Sequence, residues 1–460
     1  MEDLPGILPG ILRAHREFFA TGMTRDIEWR KSQLKKLKSV IKSKEAKINT
    51  ALFADLGKGE FESYTSEIGF LYEEINVAMR NLDEWAAPRH VPTPLFIAPA
   101  RSYIRHEPLG VVLVIAPWNY PFHLAIAPLV AAIAAGNCAV VKPSELAVKT
   151  ADIVAEVIRE AFLPGFVSTI LGGIEASTAL LKERFDHIFF TGGTAVGRVV
   201  MRAAAEHLTP VTLELGGKSP CVVDASTDLK VAARRIVWGK FFNAGQTCVA
   251  PDYLLVESRA SEALVRHMRN AIRDFFGDDP SKSPDYGRII NANHFSRLER
   301  YVDGAKVLTG GQCNKDTLYF APTLIEAPGN ESPVMQDEIF GPVLPIKTWV
   351  KPEEAKADIE SRSRPLAFYC FTRDDDMRDY FMDGISFGGG CINNTLVHLA
   401  NPHLPFGGVG DSGMGRYHGR DGFLAFSHQK AIVDSGLRPD IPLKYPPYKG
   451  RLKWIKALIR

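Results

Sequence analysis

The segment Phe242-Asn243-Ala244-Gly245-Gln246-Thr247-Cys248 sets a thiol at the end of a small, polar loop, after a helix that ends near Phe242. An accessible thiol can serve as a nucleophile. A free cysteine titrates near about 8.5, however, so reaction at neutral pH needs local dipoles, positive charge or a nearby base. Taken alone, Cys248 reads more often as a structural thiol. A candidate base stands upstream at Glu214, in Leu213-Glu214-Leu215-Gly216-Gly217-Lys218. A carboxylate at the end of an apolar strand can face a crevice and accept a proton, although a simple pairing with Lys218 would also account for it. Gly217-Lys218-Ser219 has the ending of a phosphate loop, but Thr212 stands where the first glycine is required, which excludes a Walker motif.

Asn119, in Ala116-Pro117-Trp118-Asn119-Tyr120-Pro121, follows an apolar strand and offers an amide donor of the kind that completes an oxyanion hole. Its bland alternative is an asparagine in a proline-bounded turn. Phe189-Phe190-Thr191-Gly192-Gly193-Thr194-Ala195-Val196-Gly197 leaves a strand and opens a helix, so backbone amides and the helix dipole can face a pyrophosphate. Thr194 occupies the middle position of a GxGxxG pattern, so the segment departs from the strict fingerprint. Lys142-Pro143-Ser144-Glu145 puts a lysine and a carboxylate just past a strand, where they can hold ribose hydroxyls, and Glu338-Ile339-Phe340-Gly341-Pro342 adds a carboxylate beside an aromatic ring. A helix end followed by a strand would equally explain the latter.

The elements that must carry these residues are legible from periodicity. From about Thr24 to Leu56, the spacing of Leu34, Leu37 and Ile41 with lysines between them predicts a long amphipathic helix. After Pro108, short apolar runs at Val111–Ala116, Ala139–Val141, Val167–Leu171 and His187–Phe190 alternate with helical stretches, which predicts parallel strands with crossover helices. Thr150 is placed to cap one of these helices and Pro164-Gly165 to stop it. Further strands are expected near Val211–Leu213 and Cys221–Val223. The expected fold class is α/β: a doubly wound dinucleotide domain, then a second α/β domain beginning near Glu214.

Bulk properties narrow the function. A length of 460 residues exceeds what one hydrophobic core usually organises, and 46% hydrophobic against 23% charged residues is ordinary globular composition. A net charge of +2 gives no general attraction to nucleic acid. The six cysteines form no CxxC pair, so neither a zinc site nor a disulfide scaffold is expected, and a reducing, cytoplasmic compartment is the natural setting. The N-terminus has no secretory pattern. The most apolar stretch, Leu124–Val141, is interrupted by Pro128, Gly136 and Asn137 and ends at Lys142, which suits a buried helix and strand better than a membrane span.

Six segments, PWNYPF, KPSE, FTGGTAVG, LELGGKSP, FFNAGQTC and EIFGPV, occur in one order across residues 117–343 and together closely resemble the aldehyde dehydrogenase superfamily. The resemblance implies a Rossmann-type dinucleotide domain, an α/β catalytic domain and a small β oligomerisation arm. It implies Cys248 as nucleophile, Asn119 and the Cys248 backbone N–H as oxyanion hole, and Glu214 as the base that activates water for thioester hydrolysis. It implies NAD, with NADP as a second coenzyme. Lys142 and Glu145 would hold the adenosine ribose, with Ser144 beside them. Gly192, Gly193, Thr194 and Gly197 would lie near the pyrophosphate, Leu215 against the nicotinamide, Glu338 and Phe340 near its ribose, and Trp118 along the cleft. The implied division is 1–85 and 108–213 for NAD(P) binding, 214–395 for catalysis, 86–107 and 396–435 for bridging and oligomerisation, and 436–460 as a basic tail.

The chain is similar in particular to the class 3, fatty aldehyde dehydrogenase-like branch, through His207–Thr212, Pro251-Asp252-Tyr253 and His403–Gly410. That similarity implies a homodimer and medium- to long-chain aliphatic or aromatic aldehydes as substrates. Leu452, Ile455 and Ile459 share one face of a basic terminal helix, which suits peripheral contact with an anionic membrane as well as a solvated or self-packed helix. Two other functions compete: coenzyme A-acylating chemistry, which Glu214 disfavours, and an inactive binding scaffold, which the Cys248, Glu214 and Asn119 set disfavours.

Overall fold

A computed structural model describes residues 4–440 and 442–458. Five of the expected strands build one parallel sheet in the spatial order Val211–Glu214, His187–Thr191, Val111–Ile115, Cys138–Lys142, Val167–Thr169. Val111–Ile115 and Cys138–Lys142 are buried along their whole lengths, as strands covered by helices on both faces must be. The earliest strand lies in the middle and the chain winds outward to both sides. The topological switch point therefore falls between Val111–Ile115 and His187–Thr191, where ligands bind outside the strand carboxyl ends.

A second sheet runs Val307–Thr309, Thr323–Glu326, Val343–Trp349, Tyr253–Glu257, Pro220–Val223, Ala367–Phe371, Gly389–Ile392, and is parallel except at its first pair. Passage between the sheets occupies Leu215–Ser219. An outlying antiparallel sheet joins Arg89–Val91, Ala100–Pro108 and Ser427–Ser435, the last two pairing along nine residues. The segment 396–435 also reaches back into the first sheet, where Gly413–Met414 adds an antiparallel edge strand beside Val211–Glu214.

The apolar stretch at 124–141 forms the buried helix His123–Ala135 and the strand Cys138–Lys142. Two local expectations are corrected. The helix expected from Thr24 to Leu56 is two helices, Ile27–Ser43 and Glu45–Leu56, broken at Lys44, whose φ of −110° and ψ of 8° leave the helical basin. Thr150 does not cap its helix; it lies in the first turn of Val148–Ala161, and Asp55 of the distant helix Glu45–Leu56 accepts the Thr150 N–H at 2.7 Å and its hydroxyl at 2.8 Å. The proline-broken N-terminus contains the helix Leu4–Ala20 despite Pro9. Leu4, Leu8 and Leu12 are buried along one stripe. At about 1.5–3 kcal/mol for each buried side chain, they offset the roughly 3 kcal/mol that an interior proline costs.

Candidate active site

The two strands flanking the switch point each deliver site residues: Trp118 and Asn119 follow Ile115, and Gly192 and Gly193 follow Thr191. Together with Glu214, Leu215, Cys248, Glu338 and Phe340 they line one cavity of about 740 Å³ between the two sheet bodies. Nine of the expected site residues thus share one space. Lys142, Ser144, Glu145, Thr194 and Gly197 lie outside its walls.

The nucleophile loop is held by its backbone. After the helix Leu229–Phe241, capped by Asp228, Asn243 (φ 53°) and Ala244 (φ 50°) take left-handed conformations, followed by Gly245 (φ 74°). Non-glycine residues pay about 1–2 kcal/mol each for this, a form of strain that persists only where surrounding contacts impose it. Those contacts are present. A Cβ on Gly245 would lie 2.3 Å from the Gly341 carbonyl, so the Glu338–Pro342 segment packs directly on the turn. The fully buried Gln246 donates to the carbonyls of Asn243 (3.1 Å) and Arg288 (2.9 Å) and accepts from the Ile290 N–H (3.0 Å). Past the thiol, Tyr369 donates its hydroxyl to the Val249 carbonyl at 2.6 Å.

Asn119 is buried and donates through Nδ2 to the Gln246 carbonyl at 3.0 Å. An amide nitrogen carries two hydrogens, so one remains for an oxygen bound near Cys248. The Asn119 carbonyl accepts from Lys58 Nζ (2.9 Å) and Asn243 Nδ2 (2.8 Å), which fixes the peptide that carries the side chain.

The electrostatics are those of a buried, acid-rich crevice. Both carboxylate oxygens of Glu214 are buried without a hydrogen-bond partner, and burial pushes the group well above the usual carboxylate range. The structural alternative for Glu214 therefore fails: Lys218 pairs with Asp252 at 2.7 Å instead. Burial raises Glu338 to about 8, with Asp252 adding to the shift, and its Oε1 has no partner. Burial, reinforced by the charges of Glu338 and Glu214, lifts the half-buried Cys248 thiol to about 12, while the backbone N–H groups of Cys248 and Val249 oppose the rise. Burial thus disfavours the charged form of the thiol and of both acids in the free protein.

On the cofactor side, the residues fit a dinucleotide. Gly193 caps the helix Thr194–Ala205 with open space where a Cβ would stand, which leaves the N-terminal amides accessible to an anion. A Cβ on Gly216 would fall 2.0 Å from Glu338 Oε2, so glycine there lets the carboxylate close against the chain. The Trp118 ring lies 5.2 Å from Phe340 and 4.8 Å from His294. Lys142 and Glu145 meet each other at 2.5 Å at the end of their strand, with Glu145 38% exposed. Ser144 accepts the Leu146 N–H at 3.2 Å. Gly197 makes room for Leu215, whose Cδ2 would be 2.6 Å from an added Cβ, and Thr194 donates to the Asp411 carbonyl at 3.2 Å.

Apolar residues also line the cavity, among them Phe70, Phe242, Val397 and Phe406, with the exposed aromatics Phe61 (77%) and Trp238 (39%). Residues that the motifs did not reveal complete the site: Lys58, Glu67, Tyr120 and Thr247 beneath it, His294 and Arg297 beside Phe340, and Tyr417 and His418 from the returning segment. Tyr120 and Thr247 fall inside the quoted motifs, where their neighbours were a signal. The others have none in the local pattern.

A sequence profile described as the Aldehyde dehydrogenase family matches residues 11–432. The chain is 47% identical to 4,4'-diaponeurosporen-aldehyde dehydrogenase of Staphylococcus aureus, over 97% of each chain. It is 45% identical to rat aldehyde dehydrogenase family 3 member A2, over 96% of this chain and 92% of that one. It is 46% identical to a rat aldehyde dehydrogenase described as dimeric and NADP-preferring, over 95% and 97%. The solved substrate-bound state of Staphylococcus aureus AldH superposes with a TM-score of 0.97 at 46% identity, covering 99% of this chain and all of that one. The chain belongs to the aldehyde dehydrogenase family, with family 3 members among its relatives, and is an NAD(P)-dependent enzyme that oxidises aldehydes to carboxylic acids.

Proposed function

We propose that the enzyme acts on medium- to long-chain apolar aldehydes, aliphatic or aromatic, with Cys248 as nucleophile, Asn119 as oxyanion donor and Glu214 as hydrolytic base. The observation that carries this reading is the single cavity that joins these three groups to an apolar wall with exposed aromatics. One curated relative is named for a diaponeurosporen aldehyde, which agrees with an apolar substrate.

In the proposed reaction, the Cys248 proton passes to Glu338 or Glu214, whichever is ionised, as sulfur attacks the aldehyde carbon. The former carbonyl oxygen becomes an oxyanion and takes hydrogen bonds from Asn119 Nδ2 and the Cys248 backbone N–H. A nicotinamide coenzyme, when held by Leu215, Glu338 and Phe340, would supply the hydride acceptor, and the thiohemiacetal on Cys248 would thereby become a thioester. Glu214, in its deprotonated form, then takes a proton from water, the resulting hydroxide adds to the thioester carbonyl, and the Cys248 thiolate departs from the carboxylic acid. Trp118 and the apolar wall keep bulk water from the intermediate. Glu214 favours water over coenzyme A as the acceptor.

Lys142, Ser144 and Glu145 are proposed to hold the adenosine ribose, with Glu145 favouring NAD by repelling a 2′-phosphate. Gly192, Gly193, Thr194 and Gly197 form the proposed pyrophosphate turn, and Leu215, Glu338 and Phe340 the nicotinamide end. The domain division stated from sequence is retained as a proposal, with Leu215–Ser219 as the crossing between sheets. The outlying sheet is proposed as a homodimer arm, tested by light scattering on the purified protein.

Among the described residues, no helix is long and apolar enough to cross a membrane. The tail helix Leu452–Leu458 exposes Leu452 and Trp454 beside Lys453 and Lys456, which supports peripheral contact with an anionic surface; Ile459 lies outside the described residues. Equal liposome partitioning of the full chain and one ending at Asp440 would reject that contact.

The decisive experiment is a kcat/KM series over aldehydes of increasing chain length with both NAD and NADP. A steep rise with length supports the reading, and preference for short polar aldehydes overturns it.

A further inference from the structure

Lys58 and Glu67 form an ion pair 2.5 Å apart, with both side chains removed from solvent. Two buried charges lose hydration that their mutual attraction does not reliably return, so such a pair is a poor device for stability alone. Its remaining hydrogen bonds all lead toward the reacting groups. Lys58 Nζ donates to the Asn119 carbonyl at 2.9 Å and lies 4.1 Å from the centre of the Tyr120 ring. Glu67 Oε2 accepts from the N–H groups of Phe122 (2.9 Å) and His123 (3.2 Å), at the start of the helix His123–Ala135. The pair therefore grips residues 119–123 at both ends.

The same peptide connects to the thiol loop at three points. Asn243 Nδ2 donates to the Asn119 carbonyl at 2.8 Å, Asn119 Nδ2 donates to the Gln246 carbonyl at 3.0 Å, and the Tyr120 hydroxyl meets Thr247 Oγ1 at 2.6 Å. A shift of the Asn119 peptide would turn its side-chain amide away from Cys248. Donor placement of this kind matters at the ångström level, because a donor contributes only where charge develops.

Glu67 reaches its position through an uncommon backbone. Tyr64–Ile68 is a π-helical turn between the α-helical segments Glu60–Ser63 and Gly69–Ala86, and a Cβ on Gly69 would sit 2.9 Å from the Tyr64 carbonyl. Single π turns inside helices recur at functional sites. On the other side, Lys58 follows Gly57, which is left-handed (φ 64°) and leaves no room for a side chain, because its Cβ would lie 2.9 Å from Arg288 Cγ.

We infer that Lys58 and Glu67 are positioning residues for the oxidation: they fix the main chain of Asn119 so that the free hydrogen of its amide meets the developing oxyanion. The inference rests on the oxyanion role proposed above for Asn119.

The test compares Lys58→Met/Glu67→Leu with wild type, each with and without Asn119→Ala. Removing both charges together strands neither, so the paired variant is expected to fold where either single truncation would leave a buried charge. The measurements are melting temperature, kcat, and KM for NAD and for the aldehyde. The expected result is a folded enzyme with a KM for NAD within about twofold of wild type and kcat reduced at least tenfold. In the Asn119→Ala background, the same two substitutions should change kcat less than twofold, because the donor they place is already gone. Full kcat in the paired variant, or losses that multiply with Asn119→Ala, would make the pair merely structural and overturn the inference. Full kcat in Asn119→Ala alone would reject both the oxyanion role and the inference, so the two failures are distinct. If the paired variant does not fold, Lys58→Met/Glu67→Gln, which also strands neither charge and keeps the shape of the Glu67 side chain, is read by the same outcomes.

Discussion

Asn119 Nδ2 and the Gln246 carbonyl lie 3.0 Å apart, tying the end of one sheet's central strand to the loop that presents the thiol of the other body. The bond spans the crevice between the two sheets, so any change in how they sit is felt at the donor and the nucleophile together. It also occupies one amide hydrogen and orients the other.

Asn119→Ala removes that oriented hydrogen. One oxyanion donor contributes about 3 kcal/mol in comparable sites, so turnover should fall by roughly 100-fold or more. Steady-state kcat measures this, and a loss smaller than about fivefold would assign the oxyanion to other donors.

Cys248→Ala should abolish steady-state dehydrogenase activity, because the other described cysteines stand outside the cavity. Undiminished NAD(P)H production would remove the covalent route altogether.

Glu214→Gln keeps the size of the side chain and deletes the base. Reduced coenzyme should appear in a burst near one equivalent per site, followed by turnover about 100-fold slower, in line with general-base contributions. A linear time course at the wild-type rate would argue against Glu214. If the stalled enzyme resumes on addition of coenzyme A, the acylating alternative gains support.

Glu338 supplies a pH signature in the free enzyme. Its folded pKa is about 8 against an ordinary 4.5, so the folded state keeps a proton that the unfolded chain has released. Stability from the neutral acid is complete below about 4.5 and is lost as pH rises through about 8. Glu338→Gln cannot lose that proton. Its denaturation midpoint should gain on wild type across this window, and parallel curves would contradict the burial of the acid.

Glu145→Gln removes the negative charge beside Lys142. The ratio of KM for NADP to KM for NAD should fall severalfold, since a 2′-phosphate no longer meets a carboxylate. An unchanged ratio would move coenzyme selection to other residues.

Much of the site was legible because its chemistry is carried by short runs at element ends. Cys248, Glu214, Asn119 and Gly193 each close or open a strand, loop or helix, where a local pattern and an order along the chain suffice to nominate them. The alternation after Pro108 likewise announced parallel strands, since strands buried on both faces must be continuously apolar. Local reading failed where a distant partner decided the outcome. Lys44 breaks a helix whose periodicity runs straight through it, and Asp55 caps a helix for which Thr150 looked sufficient.

The sequence by itself nominated Cys248, Glu214, Asn119 and the Gly192-Gly193 turn for the roles proposed above, and it announced the parallel strands that hold them. Only the tertiary structure decided that Lys218 turns from Glu214 to Asp252, that Glu214 and Glu338 lie buried close enough to raise the thiol, and that Lys58 and Glu67 support the Asn119 peptide. The physical reason is that hydrogen bonds and desolvation depend on distance and burial between segments far apart in the chain, and neither has a period or a motif.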